Sequence, residues 1–200
     1  MYFYDNFYTV SEILKLGFSF IATRLFYRDA NLIRRPFYLR GRPRIRLGKG
    51  FTTGYNCRIE AFGAKEDKTV KLLIGENCHF GDNVHIAAVK EVSIGRDCLF
   101  ASKIFISDSS HGEYTGPDSS DPNSDPNMRP LVADAVHIGN RVWIGENVCV
   151  LKGAIIGDGC VIGSNAVVTK SIPPNSIAVG SPARVIKRFD FDSNSWEALS

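Results

Sequence analysis

The chain has few of the features that stabilise secreted proteins or anchor membrane proteins. Its five cysteines are an odd number without a CxxC pair, which argues against a disulfide framework or a zinc knuckle and indicates a reducing compartment. The N-terminus lacks the basic segment, apolar core and small-residue cleavage site of a secretory signal. The longest nearly apolar run, from Leu16 to Thr23, falls far below the roughly 18 residues that span a bilayer. The sequence therefore predicts a cytoplasmic protein.

Net charge is also small, at +3 over 200 residues, but it is unevenly distributed. Residues 24–49 hold nine Lys or Arg and one acid, Asp29, whereas the remainder holds 15 basic and 20 acidic residues. The basic segment therefore carries +8 and the rest of the chain −5. No DNA- or RNA-binding motif accompanies the basic segment, so we expect no nucleic-acid partner.

The N-terminal region has its own pattern. Thr9 and Glu12 have the spacing of a capping box, which opens an amphipathic helix that ends near Tyr27. One interpretation is that this helix packs on the end of the following domain or on a neighbouring subunit. The other is that the helix and the basic segment lie on an anionic membrane or meet a lipid-linked pyrophosphate, because basic amphipathic stretches do both.

A period of six residues organises most of the remaining chain. A large apolar residue recurs at this spacing in two blocks, the first of which contains a two-residue slip, and glycine often follows it. The fourth position of the unit is often Asn or Asp, as at Asn77, Asn83, Asp97, Asn147 and Asn165. The apolar positions are Ile74, Phe80, Ile86, Ile94, Phe100 and Ile106 in the first block and Ile138, Ile144, Val150, Ile156, Ile162 and Val168 in the second.

A period of six fits neither the 3.6 residues of a helical turn nor the alternation of a long strand. It is typical of a three-sided coil in which each hexad is a short strand and a turn, so that about 18 residues make one turn of a parallel β-helix. The large apolar residue points inward, and Asn or Asp accepts the left-handed backbone of tight turns. Cys78, Cys98 and Cys160 share the fifth hexad position and are predicted to fill the interior rather than to react.

Residues 107–136 interrupt the repeat with four prolines and no hexad. A loop of this length in a compact solenoid is the first candidate for a functional segment, with a plain linker as the alternative. His111 lies near its start. The other histidines, His79, His85 and His137, each precede an inward position of the coil and are predicted to be structural or groove-lining groups.

The hexads, together with the VWIG sequence at Val142 to Gly145 and the VGSPARVI sequence at Val179 to Ile186, resemble the hexapeptide-repeat acetyltransferases. The resemblance is greatest with the O-acetyltransferases of bacterial lipopolysaccharide and capsule assembly. It implies an all-β fold, a left-handed parallel β-helix with an N-terminal amphipathic helix and a long excursion loop. The implied divisions are an N-terminal helical and basic extension (1–46), a β-helix domain (47–188) with its loop (107–136), and a C-terminal tail (189–200).

The resemblance also assigns roles to individual residues. His111, followed by Gly112, corresponds to the catalytic base of the family, and no metal is implied. The co-substrate would be acetyl-CoA. For the basic residues assigned to its phosphates, the alternative is that they are ordinary solvated surface charges. The implied acceptor residues are Gly81, Asp82, Asn83 and His85, and the implied donor residues are Trp143, Glu146, Ser164, Thr169, Lys170, Arg184 and Lys187.

These implications predict a cytoplasmic homotrimer that transfers acetyl from acetyl-CoA to a hydroxyl of a surface-polysaccharide sugar, free or lipid-linked. Histidine suits this reaction because a sugar hydroxyl needs a proton acceptor with a pKa near 7, whereas a thioester is already activated. The N-terminal region would give peripheral contact with the inner face of the membrane. Two alternatives stay open, an acetyltransferase of streptogramin- or chloramphenicol-type drugs and a non-catalytic trimeric scaffold. A third, a β-helical carbonic anhydrase, is disfavoured, because it needs three histidines around one zinc and His111 has no other histidine within twenty residues.

Overall fold

The hexad residues point into a three-sided coil, as their spacing predicts. The computed structural model describes residues 7–199, and all twelve apolar hexad positions are buried in one continuous core. The helix is α1 (Val10–Phe26), and the strands are β1 (Leu32–Ile33), β2 (Phe37–Arg40), β3 (Ile45–Leu47), β4 (Thr52–Thr53), β5 (Cys57–Ala61), β6 (Leu72–Ile74), β7 (His79–Phe80), β8 (His85–Ala88), β9 (Val92–Ile94), β10 (Leu99–Phe100), β11 (Phe105–Ser107), β12 (Ser109–His111), β13 (Leu131–Ala133), β14 (Val136–Ile138), β15 (Trp143–Ile144), β16 (Cys149–Val150), β17 (Ile155–Ile156), β18 (Val161–Ile162), β19 (Val167–Val168), β20 (Ser176–Val179), β21 (Arg184–Asp190) and β22 (Ser195–Ala198).

Successive strands belong to three different parallel sheets. Sheet A contains β1, β4, β7, β10, β15, β18 and β20, with β21 and β22 added antiparallel at its end. Sheet B contains β2, β5, β8, β11, β16 and β19, and sheet C contains β3, β6, β9, β14 and β17. The chain therefore passes from A to B to C in every turn, an arrangement typical of a left-handed β-helix.

The turns between sheets have the backbone that their sequence predicts. The five Asn and Asp residues at the fourth hexad position all have φ between 55° and 62°, in the left-handed region. Their short side chains tolerate this conformation better than most residues do. The predicted interior position of Cys78, Cys98 and Cys160 is also confirmed, since all three thiols are buried and free. Burial likewise raises the pKa of Cys57 to about 11, so this thiol stays protonated at neutral pH.

Coiling begins earlier than residue 47. Strands β1, β2 and β3 already pair in parallel with β4, β5 and β6, so the first turn of the coil lies within the segment assigned to the N-terminal extension. At the other end, residues 189–198 contribute to β21 and β22, which pair with each other on sheet A. Residues 1–6 of the extension and residue 200 of the tail lie outside the described residues.

Helix α1 forms as its capping box predicts and covers the open edge of sheet A. Thr9 Oγ1 accepts a hydrogen bond from the Glu12 N–H, and the Glu12 carboxylate accepts one from the Thr9 N–H. Within residues 7–199, no further strand pairs with the free edge of β1, the first strand of sheet A. There the Thr23 hydroxyl accepts from the Ile33 N–H at 2.9 Å and the Ser19 hydroxyl from the Arg35 N–H at 3.2 Å. The helix thus satisfies donors that an unpaired edge would expose.

The two-residue slip in the repeat has a structural cause. After β8 the chain makes a wider turn at residues 89–91, and the buried carboxylate of Asp108 accepts hydrogen bonds from all three N–H groups of this turn at 2.7–3.0 Å. Asp108 lies between β11 and β12, where the long loop leaves the coil. One carboxylate therefore joins the irregular turn to the beginning of the loop.

Candidate functional site

Two edges of the triangular coil carry most of the predicted site residues. We call the edge where the chain passes from sheet A to sheet B the AB edge, and the edge where it passes from sheet B to sheet C the BC edge. Each edge repeats in every turn of the coil, so residues from successive turns stack along it. The long loop between β11 and β14 leaves from the BC edge.

The AB edge collects residues that were assigned to both substrates. Asp82 and Ser102 occupy neighbouring rungs, and the Ser102 hydroxyl accepts from the Asp82 N–H at 3.0 Å. On the next rung, Glu146 Oε2 accepts from the Ser102 N–H at 3.3 Å. Donor and acceptor residues therefore form one column along this edge. Its predicted members are Gly81, Asp82, Asn83, Glu146 and Ser164.

Three further predicted donor residues lie on or beside sheet A. Trp143 projects from β15 with about half of its surface exposed, between Leu99 and Val161 on neighbouring strands. Arg184 begins β21 opposite Val179, at the AB edge. Lys187 lies further along β21 and is exposed. The outer surface of sheet A thus places an indole and two cations near the column of the AB edge.

The BC edge holds the remaining predicted donor residues and the predicted base. Thr169 and Lys170 follow β19 at this edge, and both are exposed. His111 ends β12, in the loop that leaves the same edge four residues after β11. Strands of sheet B lie between the two edges, so one chain carries the two groups of residues at different edges of the coil.

The backbone around His111 is held in place while its side chain is exposed. β12 pairs antiparallel with β13, with His111 opposite Leu131. The Tyr114 hydroxyl donates to the His111 carbonyl at 2.6 Å, and Arg129 donates to the same hydroxyl at 3.0 Å. Gly112 has a φ of +96°, and a Cβ there would approach the Tyr114 hydroxyl to 2.8 Å. A glycine is therefore required directly after the histidine.

His85 lies on the outer face of sheet B, between the two edges, and belongs to a charged cluster that sequence reasoning missed. His85 Nε2 is 3.1 Å from Glu60 Oε2, and Arg58 Nε lies 2.7 Å from the same carboxylate oxygen. Burial alone would raise the pKa of Glu60, but hydrogen bonds from Arg58 and His85 outweigh it and hold that pKa below its ordinary value. Arg40 Nη1 lies 3.7 Å from Oε1 of the same carboxylate, Glu60.

The cluster borders an open cleft of about 580 Å³ at the first turns of sheet B. Tyr38, Arg40, Arg58 and Glu60 line it together with Phe37 and Leu39. The sequence signal for an outward charged cluster here is the RIE sequence of β5, in which Arg58 and Glu60 point to the same outer face. The sequence did not show that Arg40 pairs with Glu60 across the sheet. The hexad pattern describes only the inward positions and gives no information about outward residues such as Glu60.

The other two histidines have the surface positions that the repeat predicts. His137 projects from sheet C, and its Nδ1 lies 2.6 Å from the Ser93 hydroxyl. His79 is exposed on sheet A. Within residues 7–199, no group of three or more His, Cys, Asp or Glu side chains is arranged to hold a metal ion. In the same range, no helix has the length and apolar character needed to cross a membrane.

Comparison with known proteins agrees with this architecture. Residues 135–170 match the family model of the bacterial transferase hexapeptide (six repeats). Over 191 residues the chain is 44% identical to WbbJ of Escherichia coli K12, a provisionally assigned lipopolysaccharide biosynthesis O-acetyl transferase, with 95% of each chain covered. Over 117 residues it is 36% identical to the galactoside O-acetyltransferase of the same strain, covering 58% of this chain and 54% of that one.

Among solved structures, the N-acyltransferase AntD from Bacillus cereus, in complex with dTDP and 3-hydroxybutyryl-CoA, has a similar fold. Its TM-score is 0.65 at 17% identity, over 94% of this chain and 92% of that one. A triangular parallel coil with one long loop defines the class of hexapeptide-repeat transferases. At 44% identity over nearly the whole length of a relative, the chain belongs to the hexapeptide-repeat acetyltransferases.

Proposed function

We propose that the protein transfers acetyl from acetyl-CoA to a hydroxyl of a sugar in bacterial surface-polysaccharide biosynthesis, with His111 as general base. The observation that carries the proposal is the fixed backbone and exposed side chain of His111 at the BC edge. The long match to a lipopolysaccharide O-acetyl transferase supports the choice of acceptor class.

The reaction needs one proton acceptor and close alignment of two substrates. His111 takes the proton of the sugar hydroxyl while the hydroxyl oxygen attacks the thioester carbonyl, and a tetrahedral intermediate forms. The intermediate expels the CoA thiolate, which receives the proton from the imidazolium. General-base catalysis of this kind contributes about 10² to 10⁴ in rate, and alignment of the two substrates in one groove contributes much of the rest.

The separation of the two edges supports a site shared between copies. We infer that the BC edge of one copy lies against the AB edge of the next, so that His111, Thr169 and Lys170 face Asp82, Glu146 and Ser164 of a neighbour. Each copy presents both edges, and a triangular coil repeats this contact by rotation, so three copies close a ring. The proposed enzyme is therefore a homotrimer with three sites.

Within such a groove, the donor and acceptor would lie at different heights along the coil. Residues of the C-terminal turns, namely Trp143, Ser164 and the cations Lys170, Arg184 and Lys187, are proposed to hold acetyl-CoA. The earlier turns, with Gly81, Asn83 and His85, are proposed to hold the sugar. Because the Glu60 carboxylate orients the His85 ring, His85 can offer a fixed polar group to the acceptor.

The test is thiol release from acetyl-CoA with a panel of sugars, glycans and drug acceptors. His111→Ala is expected to lower kcat by about 10² to 10⁴, because it removes the proton acceptor. His137→Ala is the matched control, since this histidine lies on sheet C, bonds to Ser93 and is assigned to neither substrate. Comparable turnover of wild type and His111→Ala would contradict the proposal. Turnover of drugs alone would indicate the drug acetyltransferase, and failure to bind acetyl-CoA would indicate a scaffold.

A further inference from the structure

Helix α1 has the reverse of the polarity that a helix of a water-soluble domain normally has. The residues buried against the coil are small or polar, namely Ser19, Ala22 and Thr23. The outward face is a continuous apolar stripe with helical spacing, and each of its side chains is 62–75% exposed. This stripe consists of Val10, Leu14, Phe18, Ile21 and Leu25.

The direction of the stripe follows from how the helix is attached. Thr23 and Ser19 bond to N–H groups at the open edge of sheet A, so α1 lies at the end of the coil and not on one of its three sides. The stripe on the opposite face of the helix therefore points away from the coil along its axis. In a trimer of parallel coils, as in the proposed function, three stripes would face in one direction and form one surface.

Cations surround the stripe at this end of the coil. Lys15, Arg24 and Arg28 are exposed on or directly after α1, and Arg42, Arg46 and Lys49 are exposed in the first turn of the coil. Among residues 7–49, the acids are Glu12, whose carboxylate is bound in the capping box, and Asp29. Arg24, Arg28 and Lys49 also line one open cleft of about 420 Å³ together with Asp29 and Glu76.

We propose that the stripe and its surrounding cations dock the protein on an anionic lipid surface. Apolar side chains would enter the boundary between headgroups and acyl chains, while the cations meet the lipid phosphates. A second copy is the poorer occupant, because an end-to-end pair would place two positively charged ends against each other. The length of α1, 17 residues, suits a helix that lies in the surface plane.

Co-sedimentation with vesicles tests the docking, using the whole chain and two vesicle types, phosphatidylcholine alone and phosphatidylcholine with phosphatidylglycerol. The double variant Leu14→Ser, Phe18→Ser is expected to lower the partition coefficient at least about tenfold on the anionic vesicles. Its matched control is Leu73→Ser, Ile155→Ser, since both side chains are 48% exposed on sheet C. The control should bind as the wild type does.

A second pair of variants tests the charge. Lys15→Glu, Arg28→Glu is expected to weaken binding to anionic vesicles about tenfold or more, and added salt should do the same to the wild type. Arg141→Glu, Arg188→Glu, which changes two exposed cations in later turns of the coil, is the charge-matched control. Equal binding to both vesicle types, or binding that the stripe variant leaves unchanged, would overturn the proposal.

The oligomeric state and the soluble reaction separate this proposal from the proposed function. The stripe variant should keep the sedimentation coefficient of the wild type and its thiol release with soluble acceptors. A stripe variant that falls apart into smaller species would show that a second copy covers the stripe. Loss of vesicle binding with retained turnover supports docking, whereas an inactive wild type that still binds vesicles would contradict only the enzymatic proposal.

Discussion

Glu60 is a buried carboxylate on the outer face of a sheet, where side chains normally contact water. Arg58, Arg40 and His85 surround it, and the side chains of both arginines are more than half exposed. Such a group is stable as an anion only because its partners supply hydrogen bonds that replace water. The cluster therefore fixes the direction of His85 on the surface proposed for the acceptor.

Glu60 should leave a signature in the pH dependence of stability. Because its pKa is lower in the folded than in the unfolded chain, its contribution is complete above the ordinary value of 4.5 and disappears as pH falls through the folded value. We expect the difference in unfolding free energy between wild type and Glu60→Gln to shrink below pH 4.5 in urea titrations. Ser119→Ala, which changes no ionisable group, should show no such change. A difference that stays constant through this range would contradict the assignment.

The Tyr114 hydroxyl is a positioning group for the proposed base. It joins the His111 carbonyl to Arg129, which in turn donates to backbone and side-chain oxygens of residues 122–124. Tyr114→Phe is expected to lower kcat about tenfold while the KM for acetyl-CoA and the thermal midpoint stay near those of the wild type. Ser119→Ala removes another hydroxyl of the same loop and should leave kcat unchanged. An equal effect of the two variants would argue against a positioning role.

At the scale of elements, the loop and the coil are coupled through Asp108. Its carboxylate accepts hydrogen bonds from the three N–H groups of the turn after β8. Its backbone carbonyl accepts a hydrogen bond from the Asp134 N–H at the far end of the loop. The same residue therefore closes the loop and stabilises the irregular turn. A change there affects both the stability of the coil and the position of β12.

Asp108→Ala is expected to lower the unfolding free energy by about 2 to 3 kcal/mol, because three donors lose a charged acceptor. Chemical denaturation measures this loss, and thiol release should fall with it because His111 lies three residues further on. Asp134→Ala, whose carboxylate is exposed, is the matched control and should change stability by less than about 0.5 kcal/mol. A stable, fully active Asp108→Ala protein would exclude the coupling.

Helix α1 shows that an element can be predicted from sequence while the direction of its faces stays open. The capping box and the apolar spacing predict the helix, and both are confirmed. The apolar face then proves to point away from the coil, because hydroxyl groups of the opposite face satisfy the unpaired edge of β1. The need to cover an open sheet edge decided which face packs.

At the scale of the whole molecule, the proposed shared site makes a specific prediction for mixed trimers. Such trimers would combine a chain with a damaged BC edge, His111→Ala, and a chain with a damaged AB edge, Ser164→Tyr. Each chain alone should be nearly inactive. The two chains are unfolded, mixed at equal amounts and refolded together. About one quarter of the wild-type sites should then be active, because a site needs an intact BC edge from one chain and an intact AB edge from its neighbour, and each occurs at about half of the positions.

The control for this experiment is a single chain that carries both substitutions. Mixing it with wild-type chain leaves only contacts between two wild-type chains active, which is again about one quarter at equal amounts. Mixing it with either single variant should give no active contact. Absence of recovery in the first mixture, with native sedimentation of all chains, would contradict a site between copies.

Local sequence pattern was sufficient to predict the coil. A period of six, with glycine and Asn or Asp at fixed positions, predicts a three-sided parallel coil. In such a coil one residue is buried every third of a turn, and the corners need a left-handed backbone. The twelve inward residues and the five positive φ angles therefore follow from local pattern alone. His111 stood out for the same reason, because it lies where the pattern stops.

The three-dimensional winding of the chain was needed to show which residues share an edge. Residues 111 and 170 lie at the BC edge, whereas residues 82, 146 and 164 stack along the AB edge. The edge at which a residue lies depends on how many residues each turn of the coil contains. Sequence spacing could not reveal the buried acid of Glu60 or the outward stripe of α1, because both arise from contacts between segments distant along the chain. Local pattern fixes which side chains point inward, and the winding of the coil fixes which outward ones become neighbours.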